Sequence, residues 1–161
     1  MPQPSSPPPD PPPHPPSTKA IDVSAALVFR GGRLLIAQRP PGGHLAGLWE
    51  FPGGKVEPGE TWEQCLRREL IEELGVESSV GPLYQEILHH YPGKSVRLRF
   101  FTCRIPPGSE PQPLGCAGLN WISRDELGAF EFPPADAALL DRLRTDDSVW
   151  SPPPSTAPTR G

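Results

Sequence analysis

Three glutamates, Glu69, Glu72 and Glu73, lie at i,i+3 and i,i+4 spacing within the segment Trp62-Glu-Gln-Cys-Leu-Arg-Arg-Glu-Leu-Ile-Glu-Glu-Leu74. On a helix those spacings bring side chains together over about one turn, where like charges repel. Arg68 can offset Glu72 at i,i+4, with Arg67 beside it, but two arginines on neighbouring rows do not neutralise a focused carboxylate cluster. A hard divalent cation does. Mg²⁺ takes oxygen ligands, keeps several waters and is usually held by a few carboxylates together with substrate phosphates. The cluster therefore predicts Mg²⁺, with Mn²⁺ as a substitute, and its lack of His or Cys argues against zinc. The bland alternative is a solvated acidic helix face. Against it stand Glu60 just ahead of the helix, an expected tight turn at Gly53-Gly54, and Arg68-Glu69 abutting the glutamate pair.

The helix itself is well punctuated. Thr61 and Gln64 form a capping-box pattern, and Gly75 sits where a left-handed C-terminal cap belongs, so residues 62 to 74 are predicted helical. Trp62, Leu66, Leu70 and Leu74 make one apolar stripe for the core, leaving the glutamates on another face. Around it the chain reads mostly as strands: Val23 to Arg30 and Arg33 to Gln38 about a Gly31-Gly32 turn, then Trp49 to Phe51. Leu83 to Tyr91 and Val96 to Arg104 flank Pro92-Gly93-Lys94 and partly alternate, and Asn120 to Ser123 adds a strand. A short turn from Arg124 to Leu127 and an amphipathic helix from Ala135 to Leu143 complete an α/β sandwich with a mixed β-sheet.

The 161 residues suit one domain, expected at residues 19 to 148. Of the 26 prolines, many crowd residues 1 to 18 and 149 to 161, which read as Pro-rich disordered tails. There is no secretory pattern and no run of ~20 apolar residues, so a soluble, cytoplasmic protein with no membrane partner is expected. Three cysteines without ligand spacing read as reduced thiols. A formal charge of −4 disfavours direct nucleic-acid binding by a basic surface, although a triphosphate can still bind where metal ions invert the local field.

Gly54, five residues, Glu60, seven residues, Arg68-Glu69-Leu70, one residue, Glu72-Glu73, one residue, Gly75-Val76 resembles the complete Nudix box. The flanks Leu34-Leu-Ile-Ala-Gln-Arg-Pro40 and Gly47-Leu-Trp-Glu-Phe-Pro-Gly-Gly-Lys55, with Phe132-Pro-Pro-Ala-Asp136, extend the resemblance over roughly residues 20 to 145. They direct it to the MutT-type nucleoside triphosphate diphosphatases, which include hydrolases of 8-oxo-dGTP and of CTP or 5-methyl-dCTP.

This resemblance implies a Nudix-fold α/β/α sandwich with a mixed β-sheet. The implied enzyme is a Mg²⁺-dependent diphosphatase taking 8-oxo-dGTP, as first choice, to 8-oxo-dGMP and pyrophosphate. CTP or 5-methyl-dCTP hydrolysis is the alternative, and a non-hydrolytic recognition module a third. The implied metal ligands are Glu69, Glu72, Glu73 and the Gly53 carbonyl, with Glu60 supporting them; Glu72 is ligand or base, and Arg68 orients a glutamate. Arg39 aligns with an arginine that reaches the nucleotide, and Lys55, His44 and Arg33 are further phosphate or ribose contacts. Phe51 and Asp136 fall at base-reading positions, although Asp136 is also a plain helix N-cap. The small-molecule nucleotide is the expected partner, for a monomer or weak dimer. One departure is Gly115, six residues before Trp121, where bacterial members often carry a glutamate. That shifts the burden of base chemistry to Glu72, with Glu86 and Glu110 behind it.

Overall fold

Both faces of the first strand are covered, which is why the run Ala25-Ala-Leu-Val28 lacks polar alternation. The computed structural model describes residues 20–43 and 45–150, so both tails, apart from the edge residues 149 and 150, and His44 lie outside the described residues. Strand β1 (Ile21–Arg30) runs parallel to β6 (Lys94–Arg104), with Ile21 opposite Val96 and Val28 opposite Cys103. It is antiparallel to β2 (Arg33–Gln38) at one end and to β4 (Gly53–Lys55) at the other. β5 (Ser79–Tyr91) pairs antiparallel with β6, while β3 (Trp49–Glu50) and β7 (Gly118–Ile122) pair antiparallel with β2.

One parallel pair among antiparallel ones makes the sheet mixed. Alternation along β1 sends Ala25 and Leu27 to a core shared with Leu34, Ile36, Phe100, Leu139, Leu143 and Trp150. It sends Ala26 and Val28 to a second core with Leu35, Phe101, Leu66, Leu70 and Leu74. Two helical layers on one sheet are the expected α/β/α sandwich.

Helix α1 (Trp62–Leu74) has the predicted bounds, its capping box closed between Thr61 and Gln64 and Gly75 left-handed at φ 69°. Leu66, Leu70 and Leu74 are fully buried, and truncating any one to Ala costs about 2–5 kcal/mol. Trp62 stays half-buried beneath the Arg99 guanidinium. Ser24 Oγ donates to the Trp62 carbonyl (3.0 Å) and the Cys65 thiol to the Lys55 carbonyl (3.3 Å), fastening the start of the helix to β1 and β4.

Gly53 and Gly54 form a strand rather than the expected tight turn. The reason is contact: a Cβ on Gly53 would overlap the Ser24 carbonyl, so only glycine lets β4 lie against β1. β5 begins at Ser79, four residues before the predicted start, because register shifts near Gly81-Pro82 hide its alternation. At the other end a 3₁₀ turn (Pro134–Asp136) leads into α2 (Ala137–Thr145), and α3 (Asp147–Trp150) was not anticipated. Trp150 is 8% exposed, donates from its indole to the Leu143 carbonyl (2.7 Å) and meets Phe29 edge-on. The packed elements thus run past the expected boundary at 148.

Candidate active site

Arg68 is the hub of the acidic helix. Its Nε and Nη2 donate to the two oxygens of Glu60 (2.6 and 3.0 Å), its Nη1 to Glu69 (2.9 Å) and Glu72 (3.2 Å), and Nη2 also to the Lys55 carbonyl (3.1 Å). A planar fork with five donors can hold several carboxylates at once, which an ammonium cannot do with fixed geometry. These hydrogen bonds, with the Glu57 N–H, hold the Glu60 carboxyl down at about 2. The Glu60 expected at the metal is therefore engaged by Arg68, and Glu69 and Glu72 by the same guanidinium.

Glu73 differs. Its Oε2 accepts from the Gly53 N–H (3.3 Å), and burial, reinforced by the nearby Glu69, pushes its carboxyl up to about 8. Burial also raises Glu69 against the pull of Arg68. The Glu69 carboxylate lies over Gly54 so closely that a Cβ there would collide with it. Among the described residues no three His, Cys, Asp or Glu side chains are gathered tightly enough to hold a metal ion. The donor chemistry still fits one: carboxylates forced together in a partly buried place, all of them oxygen donors, are stabilised by a hard divalent cation.

A cavity of about 390 Å³ starts at this helix. Glu73, Gly53, Gly54 and Lys55 line one end, Phe51, Phe100, Pro133, Ala135 and Asp136 the other, and Arg39 and Glu50 lie on its wall. Phe51 is stacked on Phe132 (5.3 Å, 15° between planes) and edge-on to Phe100 (5.9 Å). Asp136 is 7% exposed, and burial, helped by the charge of Glu50, pushes its carboxyl up to about 7. It caps the start of α2 by position alone, since its side chain makes no capping hydrogen bond. A neutral carboxylic acid both donates and accepts.

The cavity thus gathers Arg39, Phe51, Gly53, Lys55, Glu73 and Asp136 from four separate stretches of chain. Other expected residues fall elsewhere. His44 lies outside the described residues. Arg33 sits at the turn end of the β1–β2 hairpin, donates to the Trp121 carbonyl and does not line the cavity. Glu86 is paired with Arg97 and Arg99, and Glu110 with Arg30, and neither lines the cavity. Gly115 packs its loop onto the end of α1, where a Cβ would come within 3.2 Å of Glu73 Cγ and where its N–H and that of Leu114 donate to the Glu73 carbonyl.

Glu50, Tyr91 and Lys94 are among the cavity residues that the sequence did not reveal. Glu50 donates nothing but accepts from Arg39 (2.8 Å), and Tyr91 and Lys94 bring the β5–β6 hairpin tip to the cavity, Lys94 Nζ standing 5.5 Å from the Tyr91 ring centroid. The Glu50 signal was its place beside Phe51; the hairpin residues gave none, because their reach depends on strand register.

Known proteins resemble this chain in sequence and fold. The family model described as NUDIX domain matches residues 24–142. The chain is 41% identical over 123 residues to the CTP pyrophosphohydrolase of Escherichia coli (strain K12), spanning 76% of this chain and 90% of that protein. It is 38% identical over 128 residues to the 8-oxo-dGTP diphosphatase of Haemophilus influenzae, spanning 78% and 92%. The solution structure of the E. coli ORF135 protein aligns with a TM-score of 0.68 at 40% identity, over 78% of this chain and 89% of that one.

Proposed function

The chain belongs to the NUDIX domain family, and on that premise we propose that it is a Mg²⁺-dependent nucleoside triphosphate diphosphatase acting on modified nucleotides, with 8-oxo-dGTP as its first substrate. Nudix hydrolases act on small nucleotide substrates and generally use a divalent metal. The single observation that carries the reading is the continuous cavity from the carboxylate helix at Glu73 to the buried acid Asp136 beside the Phe51–Phe132 stack. A nucleotide has that same polarity, with charge at one end and a flat, hydrogen-bonding base at the other.

Glu69, Glu72, Glu73 and the Gly53 carbonyl would hold Mg²⁺, with Glu60 supporting them through Arg68. When bound, the ion neutralises charge on the non-bridging phosphate oxygens. Arg39 and Lys55 bind the phosphates. Arg68 keeps Glu69 and Glu72 oriented while Glu60 anchors it from behind. Glu72 accepts the proton of the attacking water, whose oxygen bonds to the β-phosphorus as the bridging P–O bond breaks, giving nucleoside monophosphate and pyrophosphate.

The base lies in the apolar end against Phe51 and Pro133. A protonated Asp136 donates to O6 and accepts from the N7–H of 8-oxoguanine, whereas unmodified guanine offers acceptors at both positions. The same acid can donate to N3 and accept from N4–H of cytosine, which supports CTP or 5-methyl-dCTP as the second reading, alongside the CTP pyrophosphohydrolase relative. Steady-state kcat/KM across oxidised, methylated and unmodified triphosphates, with product identification, tests both. Equal turnover of dGTP and 8-oxo-dGTP would sink the sanitising role. Binding without turnover would leave a recognition module. The reading places a monomer or weak dimer in the cytoplasm, with no direct nucleic-acid partner; among the described residues no helix is long and apolar enough to cross a membrane.

A further inference from the structure

We infer that Glu50 is a positioning residue for Arg39, fixing its guanidinium on the cavity wall between the base end and the carboxylate helix. This rests on the phosphate role proposed for Arg39. The pair is built into the sheet. Ala37 stands opposite Glu50 in the β2–β3 register, and Arg39, two residues on, projects from the same face as the diagonal neighbour of Glu50. The Arg39 N–H donates to the Leu48 carbonyl (2.9 Å), and the Trp49 N–H to the Glu131 carbonyl (2.8 Å), so neither backbone is free to drift.

Across that frame Arg39 Nη1 meets Glu50 Oε2 at 2.8 Å, with both side chains about one-third exposed (35% and 31%). Both line the cavity, and Glu50 stands near enough to Asp136 and to Glu73 for its charge to act on each. A phosphate threading from base to helix must pass this wall. Lys55 and Lys94 line the same cavity, so an arginine without a carboxylate partner is pushed away from them toward solvent. Glu50 opposes that push and sets the plane of the fork that faces the phosphate oxygens. The carboxylate keeps its place at a cost, since burial raises it against the pull of Arg39. A residue with no task there would more simply be apolar.

The test is a double-mutant cycle on the full chain with Mg²⁺, using 8-oxo-dGTP and CTP as probes, and thermal melts to certify folding. Arg39→Ala and Glu50→Ala each raise KM about tenfold with kcat within about threefold, and the double variant is no worse than either single one. Glu50→Gln keeps an acceptor in the same place and recovers most of the lost KM, which a purely structural defect would not predict. Should Glu50→Ala fail to fold, Glu50→Asp, which draws the carboxylate back by one methylene, makes the same comparison.

Multiplying effects, or an unchanged KM in Glu50→Ala, overturn the proposal. A lowered KM also overturns it, because Glu50 would then be competing with phosphate for Arg39. An Arg39→Ala variant with unchanged KM overturns both this inference and the phosphate contact beneath it, whereas a raised KM there with independent Glu50 effects overturns this inference alone. If the parent protein turns over neither probe, the functional reading fails, and the cycle is read instead as binding of the same nucleotides by quenching of Trp49 beside the pair.

Discussion

The two ends of the cavity handle negative charge in opposite ways. Around α1, Glu60, Glu69 and Glu72 all accept hydrogen bonds from one arginine in a partly exposed setting, and that pairing keeps Glu60 charged. At Asp136 no arginine pairs with the carboxyl among the described residues; burial favours the proton, and the carboxyl rises to about 7. Glu73 belongs to the first group by sequence and to the second by environment, since it is half-buried and its carboxyl accepts from the Gly53 N–H rather than from Arg68. Pairing preserves charge for work on phosphate, and burial converts a charge into a hydrogen-bond donor for work on a base.

Glu73→Gln breaks the comparison most severely. It keeps shape and a hydrogen-bond acceptor but removes the ligand charge, so kcat is expected to fall by roughly 10³-fold or more with circular dichroism unchanged. Retained hydrolysis in Mg²⁺ would remove Glu73 from the metal site. Next, Arg68→Ala should lower activity by about 10–100-fold, as loss of a residue that orients metal ligands does, and Arg68→Lys should rescue little of it because an ammonium cannot replace the fork. Full rescue by lysine would reduce the hub to a simple charge.

Asp136→Asn probes the other end through stability. The folded chain binds the Asp136 proton more tightly than the unfolded chain, whose carboxyl has the ordinary value of 3.8. Below that value both states are protonated and burial carries no charge penalty; the penalty grows as pH rises toward about 7 and is complete above it, on the order of 4 kcal/mol. The variant should therefore melt higher than the parent at about pH 8, with the gap closing toward about pH 4. A gap independent of pH would show that Asp136 does not titrate. The same variant should keep its discrimination between 8-oxo-dGTP and dGTP, since the amide presents one donor and one acceptor as the protonated acid does, whereas Asp136→Ala should lose it by about tenfold. The smallest effect is expected from deleting residues 1 to 18, which should leave kcat/KM unchanged within error.

Much of the phosphate end was legible in the chain, because a helix writes its caps, stripe and spacing into consecutive residues: Thr61, Gln64 and Gly75 set the bounds and Glu69, Glu72 and Glu73 the chemistry. The base end was legible only through family resemblance at Phe51 and Asp136. What escaped depends on contacts between distant segments. Gly53 and Gly54 have poor strand propensity and form a strand where β1 leaves no room for a side chain on Gly53 and the Glu69 carboxylate none on Gly54. Tyr91 and Lys94 reach the cavity through the register of a 13-residue strand that carries a bulge. Trp150 looks like the start of a Pro-rich tail until its indole finds Leu143. The position of Glu50 beside Arg39 comes from a diagonal across β2 and β3, a relation that no local spacing records.

The parallel pairing of β1 with β6 also sets the order in which this molecule can be made. Ile21 meets Val96, and the strand that carries much of the cavity floor has no parallel partner until residues 94 to 104 have followed it out of the ribosome. Local pieces such as the β1–β2 hairpin and α1 can form early, but closing so long a loop is entropically slow and is rewarded only when the sheet completes. A nascent or truncated chain ending before Lys94 would therefore hold every residue of the acidic helix and still leave the β6-facing edge of β1 without its partner, prone to pair with the wrong neighbour.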